Sequence, residues 1–416
     1  MPAKWTFMVY VAGYNSLSPF ATKDLDEMRK VGSSDDVKVA AFVKQLEGGG
    51  GAHHLIVGKD GQGEVSEDVG EKDSGSPQTM LDFIRWAHEN APAERYALVV
   101  WNHGSGWDPL DIDELYTEVR AARGRNGFNP RELADRSRTQ IARSVFTSSV
   151  VEVLSLETTL QRAIATDDGS GHSLDTIELA RVIKKAREEI GAPLELLGMD
   201  ACLMSCLEVA FEAEHDLDAV VGSEELEPGD GWPYAEILGD LSANPDMDGP
   251  ALGKAVVERY VASYKDRKDQ WPVTMCAIRA KGIDPFSKAL DALSKALRDA
   301  IAGDEDDANR LMRAHVRSVS FDGDLVDLRS FCDQLAKSAL DQPVKDAAKA
   351  VAAALRPGQY VIAEGHLGDK VKPCGGVTVY FPVPPGNVST YYKDLRFAKR
   401  HKWDEFLRAY HRAVQG

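Results

Sequence analysis

The sequence predicts an α/β protein with helices flanking a mostly parallel sheet, and three observations lead there. Short apolar runs free of charge alternate with stretches whose apolar residues recur at helical spacing, starting at once with Trp5 to Ala12 and then Phe20 to Val31. At 416 residues, 43% hydrophobic and 28% charged, the chain has a globular composition and is long enough to bury a large core. No apolar stretch of about twenty residues, the length a membrane helix needs, interrupts this rhythm.

Trp5 to Ala12 reads as a buried strand, Gly13-Tyr14-Asn15-Ser16 as a turn, and Phe20 to Val31 as a helix with Leu25 and Met28 on one face. Val37 to Val43 and His53 to Val57 are the next strands. The glycine run 48–51 between them lacks the Lys-Ser/Thr of a phosphate loop and opens no helix, so no nucleotide is expected there. His53 and His54 are adjacent on a strand and point to opposite faces, which argues against one shared metal. Thr79 to Asn90 is a helix that feeds the strand Tyr96 to Trp101. That strand runs into Asn102-His103-Gly104-Ser105-Gly106, placing a histidine just past a strand end beside permissive glycines.

From Trp107 to Arg162 the pattern changes to a charged insertion, acidic first and arginine-rich after Arg120. Such a stretch is a solvated, partly helical excursion or an exposed segment open to nicking. Ala163 to Asp167 resumes the sheet, and a turn holding His172 leads to the helix Thr176 to Glu189. Then Leu196-Leu197 reads as a buried strand, and Asp200 with Leu203, Leu207 and Ala210 reads as a helix start. Cys202 falls at that junction, where a helix N-terminus favours the thiolate and a parallel sheet presents its ligands. A single cysteine is more often a small buried hydrophobe, but Cys–His chemistry needs a base within reach, and two strand ends on one sheet edge can supply it. His172 is a rival base, although no apolar strand aims it.

Ala219 to Ser223 is another strand, ending in the acidic loop Glu224 to Trp232. Asp200 would cap a helix and Asp230 would sit in a turn, or either carboxylate could face a cationic side chain. Glu224, Glu225, Glu227 and Asp230 offer the hard oxygens that suit calcium, without the DxDxDG loop pattern. From about Asp246 helices dominate: Leu252 to Lys265, Ala289 to Ala302, Val344 to Leu355 and Trp403 to Tyr410, with strands at Val273 to Ile278 and Gly376 to Phe381. Cys374, before Gly375-Gly376, reads as a strand-edge thiol.

A formal charge of -17 and a pI near 5.1 disfavour binding to nucleic acid or an anionic membrane and favour basic partners. Five cysteines without CxxC spacing suggest neither a disulfide framework nor a thiolate zinc site. The N-terminal apolar run is too short to span a membrane and has no leader cleavage site, so a cytoplasmic location is expected, or secretion where a leader has been removed.

Four segments in register, Trp5 to Ala12, Asn102 to Trp107, Asp200-Ala201-Cys202-Leu203-Met204 and Pro228 to Trp232, resemble the clostripain family of cysteine peptidases, a caspase-like group. The likeness has weaker echoes at Asp327-Leu328 and Gly376 to Pro382. It implies a caspase-like α/β/α sandwich with a mostly parallel central sheet. The peptidase core would occupy 1–245, with an activation segment at about 108–160, and a helix-rich elaboration over 246–416 would pack on the core and complete the sheet. The resemblance further implies a Cys202 nucleophile, a His103 base, and an oxyanion site at the N–H groups of Gly104 and Cys202. Asp200, with Asp230 beside it, would line a pocket for a basic P1 residue. Cleavage would follow arginine, and less well lysine, in protein or peptide substrates. Activation would cut the insertion after Arg120, Arg123, Arg125, Arg131, Arg136, Arg138 or Arg143, by the enzyme itself or an upstream protease. No cofactor is required on this reading, and calcium is a candidate. A catalytically silent scaffold for a basic partner and another thiol enzyme, such as an acyltransferase, are the alternatives.

Overall fold

Strand β1 (Ala3–Gly13) is the axis of the first half of the chain, and all but one of its residues are buried. An apolar run without alternation is what a strand covered on both faces requires. The computed structural model describes residues 2–15, 17–46, 49–104, 106–107, 174–214, 216–267, 272–321, 324–384, 386–389 and 392–415. The arginine-rich insertion, His172 and the strand expected at 163–167 lie outside the described residues.

Two compact units are formed, one of Met1–Cys202 with Glu227–Gly249, the other of Leu203–Leu226 with Pro250–Gly416. In the first unit α1 (Ser18–Val31) follows β1, then come β2 (Val37–Gln45), β3 (Gly51–Ile56) and β4 (Val65–Glu71). Next are α2 (Pro77–Asn90), β5 (Ala93–Trp101), α3 (Thr176–Ile190) and β6 (Leu194–Asp200). The strands lie in the order β6-β5-β1-β2-β3-β4. Pairing is parallel from β6 to β2 and antiparallel at the outer strands β3 and β4. Strand β4, Val-Ser-Glu-Asp-Val-Gly-Glu, is almost wholly exposed, so no apolar alternation announces it.

Local chemistry fixes the helix ends. Asp175 and Glu178 form a capping box at the start of α3, with the Glu178 N–H donating to Asp175 at 2.7 Å and the Asp175 N–H donating back to Glu178 at 3.1 Å. Gly191 then ends that helix in the left-handed conformation. Gly198 in β6 makes room for the tryptophan of the 227–233 loop: a Cβ there would meet the Trp232 ring at 2.7 Å. After that loop the short helix α5 (Tyr234–Ala243) closes the unit.

The second unit begins with α4 (Leu207–Glu212) and β7 (Ala219–Gly222), preceding α5 in sequence, and continues with α6 (Gly249–Tyr264) and β8 (Val273–Arg279). Helices α7 (Asp284–Gly303) and α8 (Glu305–Val316) follow, then β9 (Ser320–Phe321), β10 (Leu325–Asp327), α9 (Leu328–Lys337), α10 (Gln342–Ala354) and β11 (Val361–Leu367). Strand β12 (Thr378–Tyr380), α11 (Arg396–Arg400) and α12 (Trp403–Gln415) end it. Strands β7, β8 and β11 pair antiparallel. The late strand β12 joins β10 and β9 in a small antiparallel sheet of its own. Around it Phe331, Phe381, Trp403, Phe406 and Tyr410 make edge-on ring contacts, and the Trp403 indole donates to the Tyr380 carbonyl at 2.8 Å. No helix among the described residues is long and apolar enough to cross a membrane.

Candidate active site

Parallel pairing of β5 with β6 sets the geometry. Trp101 and Asp200 are partners in that register, and the Asn102 N–H donates to the Asp200 carbonyl at 3.3 Å as the strands end. His103 and Cys202 each follow their paired strand residue by two positions. Imidazole and thiol are therefore delivered to neighbouring loops on the carboxyl edge, where open α/β sheets hold their ligands.

The histidine loop is pinned by two asparagines. The Asn102 side-chain amide donates to the Ala12 carbonyl at 2.7 Å, and its oxygen accepts from Asn15 at 3.0 Å and from the His103 N–H. Asn15 also takes the Leu17 N–H at 2.9 Å, tying this loop to the start of α1. Burial pushes the His103 imidazole down to about 4, so it is neutral at pH 7. Gly104 is buried beside it.

Cys202 does not stand at a helix N-terminus, contrary to the sequence pattern. Residues 201–206 form a turn with Leu203 at φ +63, and α4 begins only at Leu207. The N–H groups a helical turn would use point elsewhere: that of Leu203 donates to the Glu225 carbonyl at 3.4 Å and that of Ser205 to Ser223 at 2.9 Å. Without a helix dipole the thiolate loses its main support. Burial pushes the Cys202 thiol up to about 12, the carboxylates of Glu227 and Asp200 add to this, and the Glu227 N–H, donating to Sγ at 3.2 Å, offsets part of it. In this state thiol and imidazole are both neutral. Iodoacetamide at pH 8 is expected to alkylate Cys202 of the intact chain at least about 100-fold more slowly than free cysteine. Peptide mass mapping over time measures this, and reaction at the free-thiol rate would contradict the arrangement.

The same unit holds a cluster of buried acids, two of which, Asp200 and Glu227, act on Cys202. Asp200 ends β6 and is no helix cap; its Oδ2 accepts from the Tyr234 hydroxyl at 2.8 Å and the Trp232 N–H at 3.3 Å. Gly231, at φ +57, brings the loop so close that a Cβ would lie 3.1 Å from the Asp200 carboxylate. Burial raises Asp200 to about 6. Asp24 of α1 is buried too, raised to about 9 by burial and by Asp200, although the Trp101 indole donates to its Oδ2 at 2.7 Å. Glu227 is pushed well up by burial and by Asp200. Neither Glu227 oxygen meets a donor at good geometry, and Asp24 Oδ1 and Glu27 Oε2 are likewise buried without one. Carboxyls so placed share protons or await a cation.

The other expected acids are engaged separately. Asp230 is half-exposed and paired with Lys23 at 2.5 Å. Glu225 pairs with Lys370 at 3.4 Å, and Glu224 is buried with Asp327 and Cys374. Sequence reasoning passed over Asp24, Glu27, Asn15 and Asn102. For Asp24 a signal existed: it falls on the α1 face marked by Ala21, Leu25 and Met28, where a charge is out of place.

Parallel strands that end together, with a histidine and a cysteine in the loops that follow them and buried acids in the same unit, are the layout of a caspase-like α/β fold. The chain belongs to the clostripain family of cysteine peptidases, whose sequence pattern it matches over residues 9–121 and 153–410. It is similar in fold to a secreted C11 cysteine protease of Bacteroides thetaiotaomicron in complex with an irreversible peptide inhibitor, at 19% identity and TM-score 0.61 over 98% of this chain and 99% of that one. A second structure of a secreted C11 protease from that organism, iotapain, gives TM-score 0.65 at 14% identity over 96% of this chain and 99% of the other. An inactive zymogen C11 protease of Parabacteroides distasonis gives 0.63 at 18% identity over 96% and 98%. No curated protein sequence matches the chain. The expectation of a cytoplasmic location gains no support from neighbours described as secreted.

Proposed function

We propose that the protein is a cysteine endopeptidase that cleaves after arginine, and less well after lysine, using Cys202 and His103. The observation that supports this reading is the β5–β6 register, in which His103 and Cys202 each follow a paired strand residue by two positions, with the buried carboxyl of Asp200 at the end of β6. His103 takes the Cys202 proton as sulfur attacks the scissile carbonyl; the imidazolium then gives that proton to the leaving amine. The N–H groups of Gly104 and Cys202 receive the developing oxyanion. Water, deprotonated by the same imidazole, attacks the thioester carbonyl and frees the thiol.

Asp200, with Asp24 and Glu227 behind it, is the partner of the P1 cation, since Asp230 is already paired with Lys23. A guanidinium meets a carboxylate through two parallel donors and lysine through a point charge, which ranks arginine first. The neutral Cys202 thiol, held by the Glu227 N–H, is read as a latent state that proteolysis in the arginine-rich insertion would relieve. The test is labelling by peptidyl chloromethylketones that differ only at P1. The arginyl reagent should add one mass at Cys202, the lysyl reagent less, and the neutral citrulline reagent almost none, with limited trypsin treatment increasing all yields. Labelling at Cys202 without turnover of any arginyl or lysyl peptide would point to an acyltransferase. No labelling, even after trypsin, would point to a silent scaffold for basic partners.

A further inference from the structure

A second group of ionisable side chains lies in the other unit. Glu224, Asp327 and Cys374 are all buried, and one ligand atom from each lies within 4.8 Å of the others. Glu224 is 1% exposed, its backbone is fixed by an N–H donated to the Thr274 hydroxyl at 2.9 Å, and neither of its carboxylate oxygens meets a donor at good geometry, although the Asp327 carboxyl and the Gly376 N–H lie close. A buried carboxylate without a donor carries a penalty of several kcal/mol unless a proton or a cation meets it.

The surroundings hold the three groups in place as a metal site's support does. Asp327 caps α9, its Oδ1 accepting from the Ser330 N–H at 2.5 Å, while its Oδ2 accepts from the Gly375 N–H at 2.8 Å. Each oxygen keeps a lone pair for a further partner. The glycine pair after Cys374 makes this approach possible. A Cβ at Gly375 would lie 2.5 Å from the Arg329 side chain, and one at Gly376, where φ is +89, would lie 2.7 Å from the Cys276 sulfur. Glu364 lies at the edge of the cluster with its carboxylate 3.1 Å from His366 Nδ1.

We propose that Glu224, Asp327 and Cys374 bind a divalent zinc-type ion, a site separate from the Cys–His chemistry and independent of the peptidase reading. Donor chemistry selects the ion. Calcium and magnesium take oxygen ligands alone, whereas a thiolate with two carboxylates suits borderline ions such as zinc, which takes Cys at about 2.3 Å and Asp or Glu at about 2.0–2.2 Å. Binding forms one metal–sulfur and two metal–oxygen bonds. It releases the thiol proton and the proton that the two carboxyls otherwise share. Three protein ligands leave a fourth position for water or for Glu364. Because the ligands come from the segment after β7, the end of β10 and the segment before β12, the ion would clasp this unit and stabilise its folded state.

The test uses the full chain in the Cys202→Ala background, so that metal on the Cys–His pair cannot be mistaken for this site. After chelator treatment the protein is titrated with zinc, with cobalt as a coloured substitute, and with calcium. The expected result is one tightly held zinc per chain, a raised unfolding temperature, and a thiolate-to-cobalt charge-transfer band. The added Cys374→Ser and Glu224→Gln substitutions should each weaken binding by at least the roughly 10–100-fold typical of losing a supporting group. Cys374→Ser should also erase the cobalt band, while Cys332→Ser, at another buried thiol of the same unit, should leave it. Absence of the band in the Cys202→Ala chain, or its persistence in the Cys374→Ser chain, would overturn the proposal without any variant having to fold well. Stabilisation by calcium and not zinc would overturn it too.

Discussion

Replacing Cys202 by alanine is expected to lower the turnover of an arginyl peptide by about 10⁴-fold or more, and replacing His103 by alanine to cost nearly as much. The double variant should be no worse than either single one, because proton transfer and attack are one event shared by two side chains. Both side chains stand in loops after paired strand ends and outside any helix or strand. The Glu227 N–H loses only a sulfur acceptor when Cys202 is truncated. The unfolding temperature of each variant should therefore stay within a few degrees of the parent. Steady-state kinetics on trypsin-activated samples, with unfolding measured alongside, makes the comparison. A Cys202→Ala enzyme keeping even a tenth of the parent rate would remove Cys202 from the chemistry, and an active His103→Ala enzyme would reopen the search for the base.

Much of this arrangement is legible in the sequence because it is written in buried strands. Trp5 to Ala12, Tyr96 to Trp101 and Leu196-Leu197 are charge-free runs, and such runs become inner parallel strands whose ends share one edge. That suffices to put His103 and Cys202 just past the ends of neighbouring strands. What the sequence does not carry is anything decided by a distant backbone partner. The run Leu203, Leu207, Ala210 has helical spacing, yet Leu203 and Ser205 give their N–H groups to residues 225 and 223, and the helix starts four residues after Leu203. Local periodicity cannot report a hydrogen bond made twenty residues away. Strand β4 escapes for the opposite reason: with both faces solvated it has no apolar pattern, and it exists because β3 offers it an edge.

The acids follow the same division. Asp200 is marked by its place before Cys202, and Asp24 only by being a charge on an apolar helix face. Their meeting depends on the chain folding α1 against the end of β6, which no spacing rule encodes. Cys374 illustrates the limit more sharply. Read alone it is a thiol before two glycines, and only in the structure do Glu224 and Asp327, far away in sequence, stand beside it.

Asp200→Asn is the substitution expected to separate recognition from chemistry. An amide keeps an oxygen that can accept from Tyr234 and Trp232 but no longer offers a charge to a P1 guanidinium. Removing one partner of a buried charged pair forfeits roughly 2–5 kcal/mol, or about 30- to 4,000-fold in kcat/KM for arginyl substrates. Substrates with neutral P1 residues should change little. The sign of the pH dependence follows from Asp200 being raised to about 6. Above that value the carboxylate is ionised and ready for a cation, so kcat/KM for arginine should rise as pH increases through about 6, and this step should vanish in the variant. Stability runs the other way. A carboxyl raised in the folded chain contributes stability that is full below its unfolded value near 4 and is lost as pH climbs through the folded value. The neutral amide has no such loss, so Asp200→Asn should unfold with a flatter pH dependence between about pH 4 and 6 than the parent. A variant that keeps arginine preference, or one that loses activity on all substrates alike while losing stability, would show that Asp200 props up the loop and does not read the substrate.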